Sequence, residues 1–478
     1  MTPSPLAQKD LFRHLLVLGA TGSGKTRHVL MPLLANLLSQ GADDPHRKCG
    51  AIIFDVKGDM TAHISAAMQS AGRNPDDLRV IGRGGNSWFD PFHDIQTDCR
   101  TVAERLIAIV QSLRSDRSHG NYEDFWGENL RRFLQASAVL ATVNGYGDMG
   151  GPEGLFRAVK LLASLQSIDE GRAIPRATME QVRSAASNQW ICDRDAEMLT
   201  TFLQTDAIHL ARNTWSVVCN YAQSYVSCLR DSKIAEILAP SPARPHQFLP
   251  DQVMDLGLVV LINLSPIYYG PAARAYQMML KTAFQQSALA RYTRVYFDGK
   301  RVRPVNRNRP VCMMIDEFPA LVTPGTGDDG DAYFIDKARE SKVACLLSAQ
   351  GISGLRGQFL HPSRCHHLLN NCSYKIFLSC DCPETLDYFS QAVPHEEVDE
   401  STLHLAPVDS PAIFHLPSYR FGSPRCWSLQ GKSVTTQRQP RFDASVLRTL
   451  KTGEGILIEP GGAAEQMTFP SFYPCRKS

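Results

Sequence analysis

Residues 15–26 read LLVLGATGSGKT, and this stretch decides the fold. Four apolar residues predict a short buried strand. The run Gly19 to Thr26 matches the pattern G-x-x-x-x-G-K-[ST], and the apolar segment HVLMPLLANLLSQ after it predicts a helix. A glycine-rich turn between a strand and a helix lets backbone N–H groups wrap around phosphate oxygens, with the helix N-terminus adding a favourable dipole. The predicted cradle comprises Gly19, Thr21, Gly22, Ser23, Gly24, Lys25 and Thr26. In it Lys25 reaches the β- and γ-phosphates and the Thr26 hydroxyl ligates Mg²⁺.

Outward from this stretch the pattern stays α/β. A second buried strand, GAIIFDV (residues 50–56), precedes an Ala-rich helix near 60–71 and a short strand near 79–81. Strands alternating with helices predict a parallel sheet covered on both faces. From about Cys99 to Ala239 the periodicity is helical, as in TVAERLIAIVQSL and FRAVKLLASLQ. Strand signals return at 256–264, 310–316, 343–349, 374–380 and 454–460, with helices expected near 271–290, 331–342 and 383–392. The chain therefore divides into one α/β domain, residues 1–98 and 247–478, interrupted by an all-helical insert, 99–246. The Pro- and Ser-bearing region 398–440 reads as irregular.

A phosphate cradle needs a carboxylate at the end of a neighbouring strand to hold the metal. PVCMMIDEF (310–318) supplies one: an apolar run, then Asp316 for Mg²⁺ and Glu317 to orient and deprotonate an attacking water. Gln350 ends the strand VACLLSAQ, where an amide senses a γ-phosphate or is an ordinary loop residue. Arg339, in the helix before that strand, is either a solvated arginine or a finger reaching into a neighbouring subunit. The string RYTRVYFDGKRVRPVNRNRP (291–310) centres on a hairpin turn, FDGK, and interleaves basic with aromatic residues. Nucleic-acid contact and a merely solvated loop both fit it. Cys365, His366, His367, Cys372, Cys380 and Cys382 follow no zinc spacing.

At 478 residues the chain is long enough for more than one core. With 50 Lys+Arg against 48 Asp+Glu its formal charge is only +2, so any nucleic-acid contact is local rather than a whole basic face. No apolar run approaches the about 18 residues of a membrane-spanning helix, and no secretory signal opens the chain. Thirteen cysteines without a framework fit a reducing cytoplasm.

Taken together, the motifs resemble the coupling ATPases of type IV secretion and conjugation, the TraG/TraD-like class. The resemblance rests on the 15–26 stretch, IIFDVKGD (52–59), FDPF (89–92) and EDFWGENLRRFL (123–134). It continues through MIDEFPAL (314–321), KARESKVACLLSAQGISGL (337–355), NNCSYKIFLSCDCPETLDYFS (370–390) and RFDASVLRTLKTGEGILI (441–458), in the family's order. Val56 stands where the family has proline. The resemblance implies a RecA-like P-loop NTPase core with an all-helical inserted domain, binding ATP and Mg²⁺ and assembling as a homo-hexamer. It places Arg339 at the family's trans arginine and Gln350 at its glutamine sensor. The implied partners are single- or double-stranded DNA, a relaxase or other secretion substrate, the secretion-channel ATPases and a membrane protein. Members of the family usually carry an N-terminal transmembrane region, for which the expected counterpart here is lacking, and the expected location is cytoplasmic, peripheral at the inner membrane. Two other readings fit the residues: a nucleotide-switched module that recruits a protein through the helical insert, and a DNA-motor ATPase of a mobile element or defence system.

Overall fold

In the computed structural model the described residues are 12–93, 103, 105–107, 122–143, 152–164, 176–188, 190–227, 230–270, 272–292, 295–298, 301–304, 306–325, 330–359, 361–408 and 426–472. The strands in chain order are β1 (Leu15–Leu18), β2 (Gly50–Asp55), β3 (Leu78–Gly82), β4 (Ser87–Trp88), β5 (His246–Gln247), β6 (Val259–Asn263), β7 (Val295–Asp298) and β8 (Arg301–Pro304). They continue with β9 (Val311–Asp316), β10 (Val343–Ala349), β11 (Tyr374–Leu378), β12 (His395–Val408), β13 (Cys426–Pro440), β14 (Glu454–Ile458) and β15 (Ala464–Thr468).

Eleven of the described strands form one sheet in the order β15-β14-β11-β1-β10-β9-β2-β6-β3-β4-β5. All pairings from β11 through β5 are parallel, while β14 and β15 add an antiparallel edge. Strands buried on both faces read as continuous apolar runs, which is why GAIIFD and VCMMID lack polar alternation. Their side chains nevertheless alternate between two cores. Leu16, Ile52, Ile262, Met313 and Leu347 face the layer that includes the helix Ala272–Leu289. Leu15, Val17, Ile53, Leu261 and Met314 face the helices Met31–Ser39 and Thr61–Ser70.

Between β4 and β5 the regular elements among the described residues are helices, the longest being Tyr122–Val143 and Arg212–Ser227, with one isolated bridge between Ser241 and Arg244. Phe133, Phe202 and Trp215 stack there with centroids 5.5–6.3 Å apart, and their core is continuous with that of the sheet. The FDPF segment makes the join. Phe89 and Phe92 are fully buried, and the Tyr276 hydroxyl donates to the Phe89 carbonyl at 2.7 Å. Arg105 donates to the Pro91 carbonyl and to Gln286 on the long helix. The side chains of residues 122–126, part of the EDFWGENL resemblance, lie outside the described residues.

Two expectations are corrected. Within the region 398–440 the described residues are not irregular: β12 and β13 pair antiparallel over their whole length as a separate ribbon, with one register shift at His404/Leu405, and residues 409–425 lie outside the described residues. The paired residues lie between 18 (Val408 and Cys426) and 45 (His395 and Pro440) positions apart, so neither segment alone carries the signal. The basic string does contain the hairpin, with Asp298 opposite Arg301, but two of its arginines are interior. Arg291 donates to the carbonyls of Asn306, Ser341 and Arg309, and Arg309 to those of Lys48, Pro45 and Asp255. Both are buried and hold loops at the sheet's lower edge, so neither is free for phosphate.

His14, just before β1, adopts φ 61° and is buried, its Nδ1 accepting from the Cys345 backbone N–H at 3.2 Å. Burial, with the Arg339 charge nearby, lowers its pKa from 6.5 to about 4, although backbone hydrogen bonding at Ile335 opposes the shift. The folded chain thus resists protonation that the unfolded chain accepts. The His14 contribution to stability should be constant above about pH 6.5 and fall as pH drops toward 4, by up to roughly 3 kcal/mol. Denaturant titrations of wild type and His14→Asn across this range check it, since asparagine tolerates positive φ and carries no titrating group. The variant's curve should be flatter by that amount.

Candidate nucleotide site

The stretch that opened the sequence reading sits at the centre of the sheet, β1 lying between β10 and β11. Chain order and spatial order part here, because β2 lies three places from β1. Crevices at the carboxyl ends of strands, where the order switches, are where open α/β sheets bind ligands. The turn after β1 is pinned from both sides: Gly19 N–H donates to the Ala349 carbonyl and Ala20 N–H to that of Ser379. Gly24 has φ 99°, and a Cβ on it would meet the His28 ring at 2.8 Å, so only glycine fits. The helix opens with wide π-type turns over Lys25–Leu30 before continuing as Met31–Ser39. The first N–H groups of a helix lack intrahelical acceptors, so a helix start directly after a glycine turn suits an anion. The buried Ser23 hydroxyl has no protein partner. Thr21 and Gly22 are exposed at the rim.

Lys25 is buried, and its ammonium donates to the Gly19 and Ala20 carbonyls at 2.7 and 3.0 Å. Burial lowers its pKa, while Glu317 and Asp316 pull the other way. The Thr26 hydroxyl donates to Asp316 Oδ2 at 2.9 Å, although 290 positions separate them. Asp316 ends β9 and is buried; its other oxygen accepts from the Ser348 hydroxyl at 2.7 Å. Glu317 follows in the left-handed region at φ 62°, ψ 50°, a strained conformation for a residue with a Cβ. Gln350 donates its amide to both Glu317 oxygens at 3.2 Å. The hydroxyl and carboxylate of Thr26 and Asp316 are the hard oxygen donors that Mg²⁺ takes, so these residues fit a magnesium ion.

Arg339 does not join this group. It follows the helix Gly330–Ala338, is exposed, and lies before β10, whereas the site lies after it. Seven residues of strand separate the two ends, about 20 Å.

Sequence reasoning gave no role to three residues, although two of them, Asp55 and Lys57, stand in the IIFDVKGD motif. Ser348 aligns Asp316, and a lone hydroxyl inside VACLLSA was its only signal. Asp55 accepts from the N–H groups of Lys57, Gly58 and Met60, locking the loop after β2. Burial raises its pKa against those hydrogen bonds. Lys57 places its ammonium 3.0 Å from Glu317 Oε1 and 3.9 Å from Asp316 Oδ2. Burial alone would push the Glu317 pKa up, but the hydrogen bonds from Lys57 and Gln350 outweigh it and hold the carboxyl below its ordinary value.

The family described as Type IV secretory system Conjugative DNA transfer matches residues 5–402. This chain belongs to that family. It is 27% identical over 423 residues to the type 4 coupling protein DotL of Legionella pneumophila, covering 80% of this chain and 49% of that protein. The chain thus spans about half the length of this curated relative. The bacterial conjugative coupling protein TrwB, unbound, superposes with a TM-score of 0.61 at 15% identity, covering 98% of this chain and 87% of that one. TrwB in complex with ADP and Mg²⁺ gives 0.59 at 15% identity, with 98% and 87% covered. The fold of this conjugative DNA transfer family member is accordingly the RecA-like P-loop architecture, with a mostly parallel sheet and many helices. Among the described residues no helix is long and apolar enough to cross a membrane.

Proposed function

We propose that this chain is an ATP-hydrolysing coupling motor that delivers or translocates DNA, or a nucleoprotein, to a type IV secretion channel. The observation that carries the reading is the convergence of Thr26, Asp316, Glu317 and Gln350 beside the Lys25 turn. Gly19, Thr21, Gly22, Ser23 and Gly24 cradle the phosphates, and Lys25 leaves its two loop carbonyls for the β- and γ-phosphates. Thr26 and Asp316 hold Mg²⁺, which supplies charge neutralisation at the phosphate oxygens when bound. Glu317 takes a proton from the attacking water as the water oxygen bonds to the γ-phosphorus and the bond to the bridging oxygen breaks. Gln350 holds the Glu317 carboxylate in place and senses the γ-phosphate.

Arg339, at the far edge of the sheet from its own chain's site, acts on the nucleotide of a neighbour in a homo-hexamer. The motor domain comprises residues 1–98 and 247–478 and the helical insert 99–246. The motor's partners are DNA, a relaxase or another secretion substrate, the secretion-channel ATPases and a membrane protein, met at the inner membrane from the cytoplasmic side. A second reading, a nucleotide-switched recruitment module, draws support from exposed Trp190, Val217 and Tyr221 in the helical region and from the near-neutral charge.

ATPase assays across protein concentrations, with and without single- or double-stranded DNA, test the motor reading while oligomer size is measured in parallel. Specific activity should rise with protein concentration as larger species form, because the finger acts between subunits, and rise further on adding DNA. Activity indifferent to DNA, with a protein partner bound through residues 120–240, would select the recruitment module instead.

A further inference from the structure

The loop after β2 brings a cation onto the carboxylate that the hydrolytic reading assigns to water activation. β2 and β9 are adjacent and in register, Asp55 opposite Asp316, so Lys57 lies two residues beyond the strand end, beside Glu317. Its backbone is held by the Asp55 carboxylate, and the loop is braced where Gly58, at φ 85°, lies close against Asn263 and Ser265. The side chain, by contrast, is half exposed and held only at its ammonium end. Glu317 therefore receives an ammonium at 3.0 Å and an amide at 3.2 Å. With its oxygens so occupied, it is a poor acceptor for a proton from water.

We propose that Lys57 is a positioning residue through which the site distinguishes a nucleoside triphosphate from a diphosphate. Without nucleotide its ammonium latches Glu317; a γ-phosphate, more highly charged than the carboxylate, draws the ammonium across and leaves Glu317 open to the water. A diphosphate has no group to draw it, and the latch stays closed. The proposal rests on the ATPase reading above. It adds a cation, supplied from the neighbouring strand, to a site whose lysine on the phosphate turn is already committed.

Binding of ADPNP and of ADP, each with Mg²⁺, to the full chain tests this by calorimetry in wild type, Lys57→Met, Lys57→Arg, Glu317→Gln and the Lys57→Met/Glu317→Gln pair. Losing one charge-assisted contact to the γ-phosphate should weaken ADPNP about tenfold in Lys57→Met and move ADP by less than about threefold. Lys57→Arg should restore part of the preference. Glu317→Gln weakens the latch and should tighten ADPNP several-fold, a gain that disappears in the double variant. A residue that merely props up the loop would weaken both nucleotides alike. Equal losses for ADPNP and ADP, or a gain that survives in the double variant, would overturn the proposal while leaving the ATPase reading intact. A wild-type chain that neither binds nor hydrolyses nucleotide would overturn both. Thermal unfolding of each variant confirms that binding is compared between folded proteins.

Discussion

Lys25→Ala is expected to lower ATP turnover by at least about 10³-fold while leaving the fold intact. Lys25 is the cation buried within the turn itself, and its present partners are two backbone carbonyls of that turn. Those carbonyls bond water or a remaining N–H when the side chain is cut back, so little stability is at stake. The β- and γ-phosphates lose the cation of the turn itself, and no backbone N–H replaces its charge. In a partly desolvated site, one preorganised cation aimed at developing negative charge is worth roughly 4 kcal/mol of barrier, which is about 10³ in rate. Steady-state hydrolysis with an unfolding curve measured alongside is the check. Turnover within tenfold of wild type in a folded variant would remove the nucleotide-hydrolysing assignment.

The second large effect falls on stability. Lys281, on the helix Ala272–Leu289, and Asp331, at the start of the helix Gly330–Ala338, are both buried and form an ion pair at 2.6 Å. Asp331 also accepts from Gln285 at 2.8 Å and from the Thr323 N–H at 2.7 Å, while the Lys281 ammonium donates to the Leu321 carbonyl. The pair thus fastens the segment that follows the Asp316–Glu317 strand to two helices. Lys281→Met leaves a carboxylate buried with no counter-charge and should cost about 3–5 kcal/mol. Lys281→Met/Asp331→Asn should recover a good part of it, because burying a neutral pair avoids the desolvated charge. Chemical denaturation of the three proteins measures both differences. A single variant within about 1 kcal/mol of wild type would show that the pair is dispensable.

The residues differ in how openly they declare themselves. The phosphate turn is legible because strand, turn and helix are contiguous, and each glycine answers a local need. Asp316 and Glu317 are legible for a related reason: a run of apolar residues that stops at two acids marks the end of a buried strand. Gln350 was ambiguous in sequence, as a polar residue at a strand end has several uses; the fold sets its amide against Glu317. The RYTRVYFDGKRVRPVNRNRP string misleads in part because a basic side chain looks the same in sequence whether it faces water or collects buried carbonyls. Arg291 and Arg309 do the second.

By itself, then, the sequence determined the α/β class, from strands alternating with helices, and the strand–glycine turn–helix and the acidic strand end, which follow from spacing within a dozen residues. Only the tertiary structure decided that Lys57 and Ser348 enter the site, that Arg339 stays out of its own chain's site, and that β12 and β13 form a ribbon. The physical reason is the same for each. A parallel sheet sets strand ends side by side through long crossovers, so β1, β2, β9 and β10 meet at one edge while their residues lie tens to hundreds of positions apart. Hydrogen bonds and ion pairs of about 3 Å depend on that edge, and no local pattern encodes it.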